Sequence, residues 1–576
     1  MCGILGGTNK NWNYKEGIWS LHHRGPDAQQ VKEFDDCTLA FARLAIIDLS
    51  EKGMQPMTSL DGTVSIVYNG EIYGYDFLKK ELEKKYLFQS NTDTEVILNA
   101  YLEYGEDFIN KIDGMFSFAI YDKRKHQIIL YRDRPGIKPL YYYHANGQFA
   151  FASELKALVT GCTDVKWDMD YTALYDYLFY QYIPEPKTMY KNCYKLPPAH
   201  RLVFDLKEKR IVSIKKYWKM HVNTSKGIYR KEDVLWDELR TILEKEVKKQ
   251  LQADVAVGCF LSGGIDSSIV AYESNKISPY IHTYTIGFKE RKYDESPYAD
   301  RMIQRYSFNS TKKMIGYDDI DNIKGRLKSW YDEPFADTSA YPSYIVSELA
   351  RKDVTVVLTG DGGDELFGGY SRYQRYGESF DKKRIDQAWI SWLGKKLKLE
   401  NILSDQNMKK FVYTGLENYI PCITLTDKKT VENYRREWGI SKDYNPYWHL
   451  EKYYKKELPT ITRARYLDFK TYLPGDILTK IDRVSMANSL EARVPFLGKS
   501  VIEFAFSLSE EECCTFQVLK RILKQAYKDR IPEKILNGRK KGFSIPPYYF
   551  SSTRKGIPIT CELLDKEFLG DLMNIN

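Results

Sequence analysis

The hydrophobic pattern of the chain changes near residues 215–230, and this change limits the folds that the chain can adopt. Before it, short runs of β-branched and aromatic residues alternate with Gly, Asp and Asn, a pattern that predicts strands. One helix is predicted at 92–104, where the apolar residues share one face. These elements indicate an α+β unit of packed antiparallel sheets. The predicted strands lie at 37–50, 62–73, 115–122, 127–133 and 148–153.

After the change, an apolar stripe at helical spacing runs through residues 235–251. Nearly unbroken apolar runs then alternate with helical stretches, which indicates an α/β unit with a parallel sheet. From about residue 370 the pattern is mostly helical. A chain of 576 residues is too long for one hydrophobic core, so two domains are predicted, 1–217 and 218–576.

Composition narrows the function classes. The nine cysteines show neither metal-ligand nor disulfide-framework spacing, which favours a reducing compartment. The net charge of +8 comes from basic residues interleaved with acidic ones; this is typical of a solvated surface, although a nucleic-acid face is the alternative. No apolar run is long enough to span a membrane, and the first residues lack a secretory signal pattern. We therefore expect a cytoplasmic protein that binds neither nucleic acid nor membrane.

The stretch "FLSGGIDSS" (260–268) follows a predicted buried strand and precedes a helix. A glycine-rich turn at this place lets backbone N–H groups and a helix start face a phosphate, with Ser hydroxyls as further donors. Asp266 beside a phosphate requires a shared divalent cation. The alternative is a simple strand–turn–helix corner with a Ser cap. The stretch resembles the pyrophosphate loop of the ATP pyrophosphatase superfamily, whose members cleave ATP to AMP and pyrophosphate.

A second stretch of the same kind is "LTGDGGDELFGGY" (358–370), again at a strand end. Asp361 and Asp364 lie among its glycines. Together with Asp266 they predict carboxylates that organise Mg²⁺ around a triphosphate. The alternative is a flexible acidic loop.

Cys2 becomes the first residue if Met1 is removed, and its thiol then lies beside its own α-amine. Such a thiol resembles an N-terminal nucleophile, with the amine as base. Asn69 and Gly70 in "YNGEIY" offer donors for an oxyanion hole. Arg43 suits a substrate carboxylate, and Asp93 suits an α-ammonium group, although Asp93 could instead cap a helix.

Separated motifs in one order carry a family resemblance: "MCGI", "HRGPD", "RLAIID", "NGEIY" and "RDRPGIKPLYY" resemble the glutaminase domain of class II amidotransferases. That domain ahead of a pyrophosphate loop is the architecture of the glutamine-hydrolysing asparagine synthetase family. The resemblance extends to "YLPGDILTKIDRVSMANSLEARVPFL" and "VLKRILKQA". It implies an N-terminal-nucleophile glutaminase of sandwiched antiparallel sheets, then an ATP pyrophosphatase domain with a helical carboxyl-terminal part. It also implies glutamine, aspartate and ATP as substrates, Mg²⁺ as cofactor, and a homodimer.

The resemblance also implies roles for individual residues. The catalytic residues would be Cys2, Asn69, Gly70 and Asp361, and the glutamine-binding residues would be Arg43, Ile47, Glu71 and Asp93. The metal would be bound by Asp266 and Asp364. ATP would be bound by Leu261, Ser262, Gly263, Gly264, Asp266, Ser267, Ser268, Ile286, Thr359, Gly360 and Lys520.

The implied activity is glutamine hydrolysis at Cys2 and transfer of ammonia to a β-aspartyl-AMP, giving asparagine, glutamate, AMP and pyrophosphate. Well-known bacterial members carry Glu at position 361, whereas this chain has Asp. That difference leaves the acceptor open, with a sugar acid of surface polysaccharides as the alternative. A β-lactam-forming cyclase and a non-catalytic nucleotide-binding protein are further alternatives, against which the intact Cys2, Arg43 and Asn69 argue. Glu491 and Arg493 are candidates for the acceptor site, and the basic segment 538–547 is a candidate cover over the nucleotide.

Overall fold

The computed structural model describes residues 2–381, 415–424, 428–538 and 545–550. Twelve strands form the amino-terminal unit: β1 (Gly3–Gly7), β2 (Ala28–Glu33), β3 (Thr38–Arg43), β4 (Met57–Thr58), β5 (Val64–Ile72), β6 (Gly114–Asp122), β7 (Gln127–Arg132), β8 (Tyr141–Ala145), β9 (Gln148–Ala152), β10 (Cys193–Lys195), β11 (His200–Asp205) and β12 (Arg210–Lys216). Five helices accompany them: α1 (Tyr14–Trp19), α2 (Asp76–Leu82), α3 (Asp93–Tyr104), α4 (Leu155–Gly161) and α5 (Tyr171–Tyr180).

The strands form two six-stranded antiparallel sheets, in the orders β10-β8-β9-β1-β3-β2 and β12-β11-β7-β6-β5-β4. The sheets pack face to face over an apolar layer that includes Ile4, Phe41, Val67, Leu130 and Phe151. Helices α1 and α4 cover the first sheet, and α2 and α3 cover the second. The predicted sandwich of antiparallel sheets and the predicted helix at 92–104 are confirmed.

The predicted strand 37–50 is wrong in its second half, because β3 ends at Arg43. Beyond it the backbone curls around the Arg43 guanidinium, whose Nη1 donates to the Ser50 carbonyl at 2.7 Å and whose Nη2 donates to the Asp48 carbonyl at 2.5 Å. A buried arginine needs such acceptors, and the chain supplies them by leaving the sheet.

The second unit contains a five-stranded sheet. Its strands are β13 (Val257–Phe260), β14 (His282–Phe288), β15 (Asn309–Ile315), β16 (Val356–Leu358) and β17 (Glu491–Arg493). All of its pairs are parallel, in the order β15-β14-β13-β16-β17. Parallel strands are joined by crossover helices, which bury both faces of the sheet and explain the unbroken apolar runs.

The described part of the second unit also contains helices on either side of this sheet and beyond it in the chain. They are α6 (Glu232–Gln250), α7 (Ile265–Ile277), α8 (Ser296–Tyr306), α9 (Tyr317–Asp321), α10 (Leu327–Trp330), α11 (Ala340–Arg351), α12 (Gly363–Phe367), α13 (Ser371–Asp381), α14 (Leu416–Ile423), α15 (Lys428–Glu437), α16 (Trp448–Glu451), α17 (Thr460–Lys470), α18 (Leu478–Met486), α19 (Lys499–Ser507), α20 (Glu510–Cys513), α21 (Arg521–Ala526) and α22 (Glu533–Leu536). The predicted parallel sheet with a helical carboxyl-terminal part is therefore confirmed. The division between residues 217 and 218 stays a prediction; it falls between the end of β12 and the start of α6.

Within the described ranges, no helix combines the length and the apolar character that crossing a membrane requires.

Candidate functional site

Cys2 lies at the start of β1, beside the end of a neighbouring strand. Its backbone N donates to Asn69 Oδ1 at 3.1 Å, and its Sγ lies 3.8 Å from the Leu44 carbonyl oxygen. Burial raises the pKa of the Cys2 thiol, and the positive amino terminus opposes this rise. A buried thiol with a raised pKa needs a nearby base before it can act as a nucleophile.

Asn69 and Gly70 lie side by side near the end of β5. Asn69 Nδ2 makes only long contacts, 3.5 Å to the hydroxyls of Ser117 and Ser153. Gly70 faces Phe116 on β6, and a Cβ at position 70 would lie 2.2 Å from the Met115 carbonyl oxygen. Only glycine therefore permits this strand spacing. The weakly held amide and the bare backbone beside Cys2 are the arrangement that an oxyanion hole requires.

A cavity that is open to solvent lies beside Cys2. The cavity is lined by the predicted nucleophile, by Gly70 of the predicted oxyanion hole and by all the residues predicted to bind glutamine. Asn69 does not line the cavity, but it is hydrogen-bonded to Cys2. The lining residues are Cys2, Phe41, Arg43, Ile47, Gly53, Gln55, Tyr68, Gly70, Glu71, Thr92, Asp93 and Thr94.

Asp93 is the first residue of α3, but it does not cap the helix. The cap is Thr92, whose side chain accepts from the Glu95 N–H. Asp93 Oδ2 instead accepts from Tyr68 Oη at 2.7 Å and from Ile72 N at 3.0 Å, so its carboxylate lies against β5. The alternative role of Asp93 as a helix cap is therefore wrong.

The two acidic residues that line this cavity, Glu71 and Asp93, both have raised pKa values. Burial raises the pKa of Asp93 to about 6. Burial and the neighbouring Asp93 raise the pKa of Glu71 well above its usual range, while Arg493 opposes the rise. Two buried carboxyls favour a cationic ligand, because its charge would compensate theirs.

The second site lies at the carboxyl ends of β13 and β16. After β13, Ser262 Oγ and Ser267 Oγ lie 3.0 Å apart, and Ser262 N donates to Ser267 Oγ at 3.2 Å. Gly263 has φ of +85° and packs so closely against α8 that a Cβ would lie 2.8 Å from Tyr298 Cβ. The chain then enters α7 just after Gly264. The predicted turn into a helix start is thus present.

The loop after β16 touches the loop after β13. A Cβ on Gly360 would lie 2.6 Å from Ser267 N, and one on Gly363 would lie 2.6 Å from Asp266 Cγ. Thr359 N donates to the Arg493 carbonyl at 2.8 Å, and Thr359 Oγ1 donates to Asp361 Oδ2 at 2.7 Å. The two predicted motifs therefore form one site.

Lys520 joins the acidic residues of these loops. Its Nζ is ion-paired with Asp266 and lies 2.6 Å from Asp364 Oδ1. Leu261, directly after β13, and Ile286, on β14, are both buried, and Leu261 N donates to the Tyr284 carbonyl on β14. The predicted ATP-binding residues thus cluster around one edge of the sheet.

Magnesium fits this arrangement. The two carboxylates converge on a single cation, the Lys520 ammonium, and the buried Asp266 Oδ1 has no hydrogen-bond partner among the described residues. In the described part of the chain, no group of three or more His, Cys, Asp or Glu side chains could hold a metal. Asp266 and Asp364 would therefore hold Mg²⁺ jointly with substrate phosphates, as this ion commonly binds.

Sequence reasoning missed Lys480, Asp337 and Asp476; Asp361 is one of the acids that raise the pKa of Lys480. Lys480 Nζ lies 2.8 Å from Asp337 Oδ2. Burial raises the pKa of Asp476 well above its usual range, and Asp337 adds to the rise. The charged residues within the apolar "YLPGDILTKIDRV" were the available signal, because unpaired charges are rarely buried.

Glu491 and Arg493, the candidates for the acceptor site, lie on β17. Arg493 Nη2 is 3.5 Å from Glu71 Oε2, and Arg493 Nε donates to Glu491 Oε1 at 2.6 Å. Arg493 therefore contacts a residue that lines the glutamine cavity, and Glu491 is paired with Arg493; their role at the acceptor site stays a prediction. Of the basic segment 538–547, residues 539–544 lie outside the described residues.

Comparisons with known proteins agree with this two-site architecture. The Glutamine amidotransferase domain family model matches residues 1–218, and the Asparagine synthase model matches residues 238–560. Asparagine synthetase [glutamine-hydrolyzing] 1 of Bacillus subtilis is 35% identical over 95% of this chain and 87% of its own length. Putative asparagine synthetase [glutamine-hydrolyzing] 2 of Methanocaldococcus jannaschii is 35% identical over 86% of this chain and all of its own.

A more distant relative carries a different name. Amidase chry2 of Gibberella zeae is 27% identical over 91% of this chain and 84% of its own length. The same two-domain layout therefore occurs under more than one activity name. On the strength of both family models and the full-length relatives, the chain belongs to the glutamine-hydrolysing asparagine synthetase family and is a glutamine-dependent amidotransferase.

Proposed function

We propose that this enzyme is an asparagine synthetase that takes its nitrogen from glutamine and activates aspartate with ATP. The observation that supports this most strongly is the presence of two different sites in one chain. Cys2 lies in a cavity with two carboxyls and an arginine, and Asp266, Lys520 and Asp364 meet at the carboxyl edge of a parallel sheet.

In the first site, removal of Met1 would leave Cys2 with a free α-amine. This amine takes the thiol proton, and Sγ attacks the glutamine carboxamide carbon. Asn69 Nδ2 and Gly70 N–H stabilise the resulting oxyanion. The protonated amine gives its proton to the leaving nitrogen, so ammonia departs and a thioester of Cys2 remains. Water then hydrolyses this thioester, which releases glutamate and restores the thiol. The 3.1 Å bond from Cys2 N to Asn69 Oδ1 supports this role, because it holds the nucleophile against the donor residue.

Glutamine is held by its two charged ends. Arg43 binds the α-carboxylate, and Glu71 and Asp93 bind the α-ammonium, with the backbone near Ile47 as a further contact. The raised pKa values of both acids support this assignment, since a bound ammonium restores the charge that burial opposes.

In the second site, the loops after β13 and β16 bind ATP. The Ser262–Ser268 turn and the start of α7 face the phosphates, and Leu261, Ile286, Thr359 and Gly360 line the nucleotide pocket. Lys520 contacts the pyrophosphate. Mg²⁺ held by Asp266 and Asp364 would neutralise phosphate charge.

The acceptor carboxylate attacks the α-phosphorus and displaces pyrophosphate, which gives an acyl-adenylate. Ammonia from the first site then attacks the acyl carbon and releases AMP. Asp361 takes part in this acyl-adenylate reaction. Lys480, with Asp337 beside it, offers one positive and one negative group for an amino-acid acceptor.

The second candidate function is amidation of another carboxylate, such as a sugar acid. The shorter side chain of Asp361 and the relative that is named an amidase favour this alternative.

Product stoichiometry tests the proposal. With Mg·ATP, glutamine and aspartate, we expect asparagine, glutamate and AMP in equal amounts, and no AMP when aspartate is omitted. Glutamate without asparagine or AMP would contradict aspartate as acceptor and direct the same assay to sugar acids. The homodimer and the cytoplasmic location stay predictions.

A further inference from the structure

Helix α18 lies between the two sites and presents residues to both. On one side, Lys480 Nζ is 2.8 Å from Asp337 Oδ2, next to the acceptor site. Residues two apart on a helix point about 200° from each other. Asp482 therefore faces away from Lys480, toward the amino-terminal unit.

Asp482 holds Arg24 of the amino-terminal unit in a fork of two bonds. Arg24 Nη1 donates to Asp482 Oδ2 at 2.8 Å, and Nη2 donates to Oδ1 at 3.1 Å. Nη1 also lies 2.7 Å from Glu154 Oε1. All three side chains are buried. Because a bidentate pair fixes the plane of the guanidinium as well as its position, Arg24 has one orientation here.

The Nε donor of that fixed guanidinium points at the nucleophile residue. Arg24 Nε donates to the Cys2 carbonyl oxygen at 3.2 Å. Cys2 precedes the first residue of β1, so the sheet restrains it from one side only. Among the described residues, its other hydrogen-bond contacts are the Asn69 bond and the long approach of Sγ to the Leu44 carbonyl. The Arg24 bond is thus a principal restraint on the Cys2 peptide group.

We propose that Asp482 is a positioning residue for Cys2: it fixes Arg24, and Arg24 fixes the peptide group from which the Cys2 thiol projects. The glutamine-hydrolysing site is then incomplete without a carboxylate supplied by the synthetase domain. This inference rests on the proposed role of Cys2 as the nucleophile.

The competing explanation is that the pair only stabilises the contact between the two units. Loss of one partner from a buried ion pair does destabilise proteins. A purely stabilising role would, however, affect both sites together. A positioning role affects glutamine hydrolysis and leaves nucleotide binding intact, because Asp482 faces away from the ATP loops.

Asp482→Asn tests the proposal, because it keeps the shape of the side chain and removes its charge. Glutamine hydrolysis is measured without ATP or acceptor, so the result does not depend on the identity of the acceptor. We expect kcat to fall about 10-fold or more, the glutamine KM to change less than about threefold, and Mg·ATP affinity to stay within about twofold. Alkylation of Cys2 by iodoacetamide, followed by mass spectrometry, is expected to slow in parallel.

Asp176→Asn is the matched control. Asp176 is also a buried carboxylate in an ion pair, 2.8 Å from Lys187 Nζ, and it does not contact Cys2, Arg24 or α18. We expect its glutamine hydrolysis to stay within about twofold of the wild-type rate.

Wild-type hydrolysis in Asp482→Asn would overturn the proposal, and so would an equal loss of hydrolysis and of Mg·ATP affinity. If Asp482→Asn does not fold, Arg24→Lys is the variant that tests the proposal. It keeps a positive charge opposite Asp482, but it lacks the Nε donor to Cys2. Loss of hydrolysis with intact Mg·ATP binding in Arg24→Lys is expected, and a wild-type rate would overturn the proposal. Hydrolysis retained by Cys2→Ala would instead show that the proposed nucleophile is wrong.

Discussion

Glu71 and Arg493 lie 3.5 Å apart, from Oε2 to Nη2, although they belong to different units of the molecule. Glu71 lines the glutamine cavity, while the Arg493 carbonyl accepts from Thr359 N at the start of the ATP loop. One residue of β17 thus touches the glutamine cavity with its side chain and the nucleotide site with its backbone.

Replacing Glu71 by Gln tests its proposed contact with the glutamine α-ammonium. A hydrogen bond to a charged group contributes about 1.5–3 kcal/mol, so we expect the KM for glutamine to rise about 10-fold or more. Synthesis from ammonia is expected to stay within about twofold, because the synthetase site keeps its residues. A glutamine KM equal to the wild-type value would contradict the assignment.

The pKa of about 6 for Asp93 predicts a pH dependence of glutamine binding. The ionised carboxylate is the form that binds an ammonium, and a raised pKa means that protonation begins nearer neutrality. The KM for glutamine is therefore expected to increase as the pH falls from 8 through about 6, toward a slope of about one decade per pH unit. Measuring KM across this range in wild type and in Asp93→Asn checks this. The variant is expected to have a higher KM with a weaker pH dependence, which comes from Glu71 alone. A flat wild-type profile would refute the role of Asp93.

Asp266→Asn is expected to abolish AMP formation with either nitrogen donor. The change removes a carboxylate from the proposed Mg²⁺ position and from the ion pair with Lys520. Glutamine hydrolysis in the absence of ATP is expected to continue at the wild-type rate. Asp300→Asn serves as the control, since Asp300 pairs with Lys312 on the surface. Normal AMP formation by Asp266→Asn would make Asp266 a structural residue only.

Gly360→Ala tests whether the two loops must touch. The added Cβ would lie 2.6 Å from Ser267 N and 2.9 Å from Asp266 Cβ, so the loops have to separate. We expect Mg·ATP affinity to fall at least about 10-fold, while glutamine hydrolysis is retained. Gly325→Ala is the matched control, because a Cβ there meets no atom within 4 Å. Unchanged ATP affinity in Gly360→Ala would show that the contact is dispensable.

The sequence predicts best those parts of the fold and of the site that depend on local chemistry. Gly263 and Gly360 follow apolar strands, so the loops at the sheet edge were predictable from turn chemistry alone. Asp93 was ambiguous, because Thr92 and Asp93 are both favoured caps and only the packing of α3 on β5 distinguishes them.

Contacts between segments that are far apart in the chain could not be predicted from the sequence. The bend after Arg43 depends on where that guanidinium is buried, which a strand-like run of residues does not reveal. The position of Arg493 next to Glu71 depends on how β17 joins the parallel sheet and how that sheet meets the first unit. A charged residue in an apolar run signals a buried partner, but it does not identify that partner.

Cys2→Ala, assayed with glutamine and separately with ammonium chloride, shows whether Cys2 is the nucleophile that supplies ammonia to the second site. We expect asparagine synthesis from glutamine to fall to background in this variant, because no thiol remains to attack the carboxamide. Synthesis from ammonia is expected to stay within about twofold of wild type, since the site around Asp266, Asp361 and Lys520 is intact. Glutamine-dependent synthesis that persists in this variant would show that Cys2 is not the nucleophile.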